Sequence, residues 1–330
     1  PGQTPSINFR GRGNLGTSSP LYVIDGAIAD ATFFSNLDPN SIESISFLKD
    51  AASSSIYGSK AAFGVILITT KSGAQSDKFE VSYSNNFSWQ DPAKKIEIGG
   101  IEALQYTLDA QTNRREPMPA GGFWRISPES LEKAIEWQNL YGGKVKWNDP
   151  VVYGRDWFYD GKDKYGYRLY DGAKAMIKNW TPTMTHNLSV NGKSGKTSYN
   201  IGLGYLDQSG MSKTAKKDDF KRYNASVSVT SEINKYITVR ASSIYSDRNK
   251  RYPGIGNTTA DPWLYLYRWS PLMPMGVTEN GNPLKEPTYE MAAANTDNLQ
   301  NKYYNINLGF TLNLTKNWDV KFDYTYDRQT

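Results

Sequence analysis

The residues able to do chemistry are few and scattered. The chain has one histidine, His186, and no cysteine, which removes disulfides, thiolate metal sites and a cysteine nucleophile. His186 opens an alternating stretch with no Ser/Asp relay or second metal ligand in sight, so an interfacial or packing role accounts for it better than catalysis. Asp156, Asp160 and Asp163 suggest calcium, but Lys162 and Lys164 interrupt them. The EF-hand spacing also fails, and they read as a solvated loop. Gly11, Gly13 and Gly16 form a G-x-G-x-x-G after a strand candidate, Ile7-Asn8-Phe9-Arg10. A dinucleotide site needs a helix N-terminus directly behind such a loop. Here Thr17, Ser18, Ser19 and Pro20 lead into another strand instead, so the glycines read as a turn. No paired carboxylates or activated nucleophile stand out, so we nominate no catalytic residue, metal or cofactor and read the chain as not an enzyme.

What is unusual is the aromatic load, 23 tyrosines and 9 tryptophans in 330 residues. Two stretches concentrate it. Residues 91–184 carry Trp124, Trp137, Trp147, Trp157 and Trp180, with Tyr141, Tyr153 and Tyr159 among them. Residues 249–301 carry Trp263, Tyr265, Tyr267 and Trp269 among prolines. Such rings stack on flat sugar or peptide faces, but they also form cores and pack partner proteins. Trp124, Trp137, Trp147, Trp157, Tyr159, Trp263 and Trp269 are the candidates for contact with a ligand or partner. The first stretch is not structureless. Ile101, Leu104 and Leu108 stand at helical spacing, and Ser127-Pro128 caps a second helix with Leu131, Ala134 and Ile135 on one face.

The elements carrying these stretches are strands. Alternation runs through 79–89, 185–191, 196–206, 221–232, 236–247, 302–314 and 318–328; Tyr304, Ile306, Leu308, Phe310 and Leu312, for example, oppose Asn305, Asn307, Gly309, Thr311 and Asn313. Period two over such lengths means one apolar and one polar face. No apolar run is long enough for a transmembrane helix and mean hydropathy is −0.62, a value that membrane barrels share. A soluble sandwich makes the same alternation. Three features favour a barrel: strands longer than the globular norm, aromatics at strand ends, and connections alternating between tight turns (192–195, 234–235, 316–317) and long loops (91–184, 208–220, 249–301). Seven strands is an odd count that leaves the sheet open, so these strands are read as a fragment of a larger barrel. The net charge of +5 is spread without long runs and makes no case for nucleic acid.

Upstream lies a different unit: a strand at 20–26, another at 41–49, Asp50 as N-cap of a short helix over 51–57 with Gly58 ending it, and a strand at 64–70. Asp25-Gly26 reads as a turn. A strand–strand–helix–strand unit is a small α+β domain. Two segments here, PLYVIDG from Pro20 to Gly26 and LDPNSIESISFLKDAASSSIYGSKAAFGVILITTKSG over 37–73, resemble the plug of the SusC/RagA family of TonB-dependent outer-membrane transporters. The stretch THNLSVNG, running on to GYLDQSG at 204–210, resembles a hairpin of the same family.

The resemblance implies a mainly β fold: a transmembrane antiparallel barrel, about 22 strands when intact and seven here, with an α+β plug. It divides the chain into a plug over 1–78 and the N-terminal part of the barrel over 79–330, with extracellular loops at 91–184 and 249–301. Pro20, Tyr22, Asp25, Gly26, Asp50, Tyr57, Gly58 and Gly64 are the plug-motif positions. The resemblance also implies import of oligosaccharides or peptides across the outer membrane of a Bacteroidota bacterium. A SusD-like surface lipoprotein would serve as lid, the TonB–ExbB–ExbD complex as energy source, and membrane lipid or lipopolysaccharide as surroundings. The other reading is a secreted β-rich carbohydrate-binding or adhesin module, whose apolar faces would be buried against each other.

Overall fold

The computed structural model describes residues 19–29, 31, 34, 37, 41–50, 54–71, 79–93, 95–115, 124–146, 148–254, 271–315 and 318–330. The glycine motif at 11–16, Trp147, Trp263, Tyr265, Tyr267, Trp269 and the turn at 316–317 lie outside those residues.

The first unit is a four-stranded sheet. β1 (Leu21–Ile24) and β2 (Ala27–Ala29) make a hairpin, β1 runs parallel to β4 (Val65–Thr70), and β3 (Ile42–Leu48) pairs antiparallel with the other edge of β4. β1 and β4 are almost wholly apolar, as strands covered on both faces must be. Tyr22, Ile24, Ile66 and Ile68 form one buried face, and Val23 and Val65 pack with Ala61 on the other. β2 was not among the expected strands, because three residues are too few to show a period.

The helix before β4 is 3-10 over Ser55–Ala61. Gly58, at φ 65°, is non-helical and separates two short turns, so the first ends at the glycine as expected. Residues 51–53 lie outside the described residues, and with them any contact to the cap expected at Asp50. The Asp50 carbonyl accepts from the Ser54 N–H and hydroxyl, both at 3.0 Å, while Ser54, at the cap position of the 3-10 segment, makes no side-chain cap bond to it. A left-handed residue interrupts the i→i−4 pattern, so the segment tightens to short 3-10 turns. Gly64, at φ 93°, then turns the chain into β4.

After β5 (Glu80–Gln90) the chain leaves for an insertion. It contains α1 (Ile101–Asn113), α2 (Pro128–Tyr141), a small hairpin of β6 (Trp157–Tyr159) and β7 (Lys164–Gly166), and α3 (Gly172–Met176). Both helices expected from spacing are present. Ser127 caps α2 and exchanges hydrogen bonds with Ser130 in a capping box. The wall resumes with β8 (Thr181–Ser194), β9 (Thr197–Ser209), β10 (Asp219–Glu232), β11 (Ile237–Gly254), β12 (Asn295–Thr315) and β13 (Trp318–Gln329). With β5 these form one antiparallel sheet in the order β13-β12-β11-β10-β9-β8-β5. Seven strands were expected and seven are found. β5 and β13 stand at its edges, so this is an open section of a barrel wall. The strands run further outward than the alternation indicated: β11 and β12 stay paired up to Gly254↔Asn295, shortening the second loop to 255–294. Ladder bonds need only backbone, so polar side chains do not end them.

The burial of this sheet is inverted. Asn305, Asn307, Thr311 and Ser246 are buried, Asn307 to 8 % exposure, whereas Leu308 beside it is 50 % exposed. Val81, Phe87, Leu203, Val227, Ile306, Phe322 and Tyr324 are exposed as well. A soluble sandwich would bury the opposite half. An apolar face turned outward across all seven strands suits hydrocarbon.

Candidate functional site: a sheet seated on a polar wall, and an aromatic outer surface

The small sheet sits on the polar face of the wall. Tyr22, Ile24, Ile66 and Ile68 share their core with Ile244 on β11 and Tyr303 on β12, and Tyr22 stacks on Phe34 at 5.1 Å. Beyond that apolar contact the wall offers small polar side chains. Register places Ser82, Ser189, Gly202, Ser226 and Ile244 side by side across five strands, next to a row of Ser84, Asn187, Gly204, Asn224 and Ser246. A cavity of about 120 Å³ lies among these rows, Ser41 and Lys71. The Lys71 backbone spans the seam: its N–H donates to the Ser41 carbonyl at 2.8 Å, and its carbonyl accepts from the Ser228 hydroxyl at 3.0 Å.

The plug-motif residues serve this seat. Pro20 is buried at the entry to β1. Asp25 takes φ 49° in the β1–β2 turn with Gly26 at φ 88°. Its carboxylate accepts from the Thr70 N–H at 2.8 Å and the Thr70 hydroxyl at 2.6 Å, tying the turn to the end of β4. Asp25 is thus a clamp as well as a turn residue, a role that a sequence separation of 45 residues conceals. Tyr57 packs on the face away from the wall, against the Val23–Val65 cluster.

On its outward face the wall carries a ring of aromatics near the outer end. His186 Nδ1 shares a hydrogen bond with the Tyr83 hydroxyl at 2.7 Å. The His186 ring lies 6.3 Å from Tyr205, which lies 5.0 Å from Tyr223; Tyr245 and Tyr304 are also 5.0 Å apart. The lone histidine is therefore a packing residue of the wall's outward face. Just outward of the ring stand the ion pairs Lys221–Asp207 at 3.2 Å and Arg251–Asp219 at 2.7 Å.

The insertion builds a core of its own. Leu104 and Leu108 of α1 pack on Leu131 and Ala134 of α2, and Leu272 from the second loop completes the cluster. Met275 joins Val151, Tyr170 and Ala175. The two outer loops are thus one body, stitched by Tyr170 N–H to the Pro271 carbonyl and Val151 N–H to the Val277 carbonyl, both 2.7 Å. A Cβ on Gly166 would stand 2.2 Å from the Leu272 carbonyl oxygen, so that contact requires glycine.

Asp156 is the polar centre of this body and corrects the solvated-loop reading. It is 0 % exposed, accepts from Trp137 Nε1 at 2.8 Å and the Val152 N–H at 2.9 Å, and pairs with Arg155 at 2.7 Å and the buried Arg168 at 3.5 Å. Burial pushes its carboxyl up, but the bonds from Arg155, Val152 and Trp137 outweigh that and hold it below the usual range. Asp160 does sit in an exposed turn, accepting from Lys162 and Asp163 N–H, and Asp163 pairs with Arg125.

The candidate aromatics divide. Trp137 is buried and belongs to the core; Trp124 and Trp157 are half-buried and meet edge-on at 5.5 Å. Tyr159 is exposed, beside Tyr153 and Phe158, whose rings stack at 5.9 Å. Exposure of those last two has no signal in the sequence.

The TonB-dependent receptor plug domain family matches residues 1–65. TonB-dependent receptor P26 of Formosa agariphila is 28 % identical over 311 residues, covering 92 % of this chain and 27 % of that protein. TonB-dependent receptor SusC of Bacteroides thetaiotaomicron is 27 % identical over 237 residues, covering 69 % of this chain and 19 % of its own length. The chain therefore spans only about a quarter or less of these relatives. Among solved structures, the RagAB peptide importer in its closed-closed state superposes with a TM-score of 0.66 at 26 % identity, over 98 % of this chain and 36 % of that one. On these matches the chain belongs to the SusC/RagA family of TonB-dependent receptors.

Proposed function

We propose that the chain is the plug (1–78) and the first seven wall strands (79–330) of an outer-membrane importer driven by TonB–ExbB–ExbD. Its cargo is an oligosaccharide or a peptide, its lid a SusD-like lipoprotein, and its home the outer membrane of a Bacteroidota bacterium. The carrying observation is the inverted wall with the small sheet on its polar side. An apolar face left exposed across seven strands needs lipid, and a polar lumen needs a stopper if the membrane is to stay sealed. The seam suits a stopper that moves. Serines, asparagines and glycines grip through hydrogen bonds that water can replace, with apolar contact at Ile244 and Tyr303. The exposed Tyr153, Phe158 and Tyr159 support contact with cargo or lid at the outer mouth.

The test uses the whole receptor in cells. The Ser228 hydroxyl reaches the Lys71 carbonyl at 3.0 Å, and this chain adds no cysteine background. A Lys71→Cys/Ser228→Cys pair, oxidised or bridged by a short dithiol cross-linker, pins the plug to the wall. TonB-dependent uptake is expected to stop and to return on reduction. Full uptake through a verified cross-link would sink the moving-plug reading.

A further inference from the structure

Outward of the aromatic ring lies a cleft of about 680 Å³ that the import reading does not use. Its floor is the end of the wall. Pro182 pairs with Trp89 and, like Ser209, stands in the outward-facing set of its strand. Its rim is basic: Lys95, Lys174, Lys178 and Lys213 line it, with Asp171 as the acidic side chain. Asp171 is engaged in capping α3, accepting from the Lys174 N–H at 2.9 Å, and Lys95 pairs loosely with Asp91 at 3.8 Å. Two of the lysines are fixed in place by their backbone, and the Lys213 ammonium also donates to the Lys174 carbonyl at 3.1 Å, which draws the two side by side. Lys178 N–H donates to the Met211 carbonyl at 2.7 Å, Lys213 N–H to the Met176 carbonyl at 2.8 Å, and Ile177 bridges Ser212. Trp180 also lines the cleft, 66 % exposed and held at φ 56°, a backbone conformation that costs energy for a residue other than glycine.

Positive charge directly above an aromatic band, at the level where strand gives way to water, is the arrangement that meets an anionic lipid headgroup. The ammonium groups face the phosphate and the amphipathic rings lie at the glycerol or sugar level. A soluble anion would gain from the lysines but would have no use for Trp180 and Trp89 beside them. We propose that this cleft holds the phosphate-bearing headgroup of an outer-leaflet lipid, with Lys174, Lys178 and Lys213 toward the phosphate and Trp180 against the upper part of the acyl chains. The inference rests on the membrane-wall reading above.

The experiment is native mass spectrometry of the detergent-purified full-length receptor, titrated with phosphorylated lipid A, dephosphorylated lipid A and glucosamine 1-phosphate. We expect phosphorylated lipid A to bind, and Lys174→Ala/Lys178→Ala to weaken it roughly 25-fold, about fivefold for each charge removed. Dephosphorylated lipid should weaken comparably, and the soluble sugar phosphate should fail to compete. Lys196→Ala, in the tight turn at the far end of β8, is expected to leave binding unchanged; an equal loss there would overturn the site. Effective competition by the sugar phosphate would overturn the lipid and reassign the cleft to a soluble anion. Wild-type retention by the double variant would also overturn it. In that case a receptor that still needs detergent for extraction and still shifts in gel mobility on heating keeps the barrel reading intact. A receptor released from membranes without detergent would overturn both.

Discussion

The plug sheet and the wall sheet are built from the same kinds of residue and bury opposite halves. In the plug, Ile66 is 0 % exposed, walled in by Tyr22, Ile24 and Ile68. In the wall, Leu308 is 50 % exposed and its neighbour Asn307 is inside, donating to the Thr325 hydroxyl at 2.8 Å. Burial follows the solvent a face meets, not the polarity of the residue. The plug answers to water on its flanks. The wall turns its apolar half outward and its polar half toward the plug. The outer body follows the plug's rule, with the added feature of a charged centre at Asp156.

That contrast is open to breaking. The largest effect should come from the outer body: Asp156→Ala leaves Arg168 buried without its carboxylate, at a cost of about 3–5 kcal/mol, read as earlier cleavage of the loops in limited proteolysis of the whole receptor. The same network carries a pH signature. A carboxyl held below its ordinary range contributes stability that is complete above about pH 4 and drains away as pH falls through the lowered value. Protease sensitivity of the wild-type loops should therefore rise only below that range, and the rise should be smaller in Asp156→Asn.

Next comes Ile66→Ala, expected to cost about 2–5 kcal/mol by leaving a cavity in the plug, seen as faster hydrogen exchange in β1 and β4. Leu308→Arg tests the wall, with about 2–4 kcal/mol lost when the charge meets mid-bilayer, measured by urea unfolding in lipid vesicles. If Leu308→Arg proves neutral, the outward face does not meet lipid. Gly166→Ala should cost about 1–3 kcal/mol by pressing on the Leu272 carbonyl, loosening the second loop from the first. Smallest is Ser226→Ala on the lumen face, expected within about 0.5 kcal/mol in the same unfolding assay. A large loss there would mean that the plug seat is tighter than small polar contacts allow.

Much of the local structure was legible. The seven wall strands follow from alternation, α1 from the spacing of Ile101, Leu104 and Leu108, and α2 from Ser127-Pro128. The misses have physical causes. The aspartates at 156–163 looked alike, but only Asp156 finds two arginines and a tryptophan. The outer ends of β11 and β12 were hidden because their residues are polar and the ladder holds through backbone alone.

By itself the sequence determined periods and turns: which segments are strands, which positions share a face, and where Asp25-Gly26 and Asn234 bend the chain. Those depend on neighbours a few residues away. The tertiary structure decided which face is inside, that the loops on either side of four wall strands fuse into one body through Leu272 and Met275, and that Trp137 is buried while Trp180 is presented. Such outcomes depend on what arrives from far along the chain or from the surrounding medium, and alternation is the same whichever side the water is on.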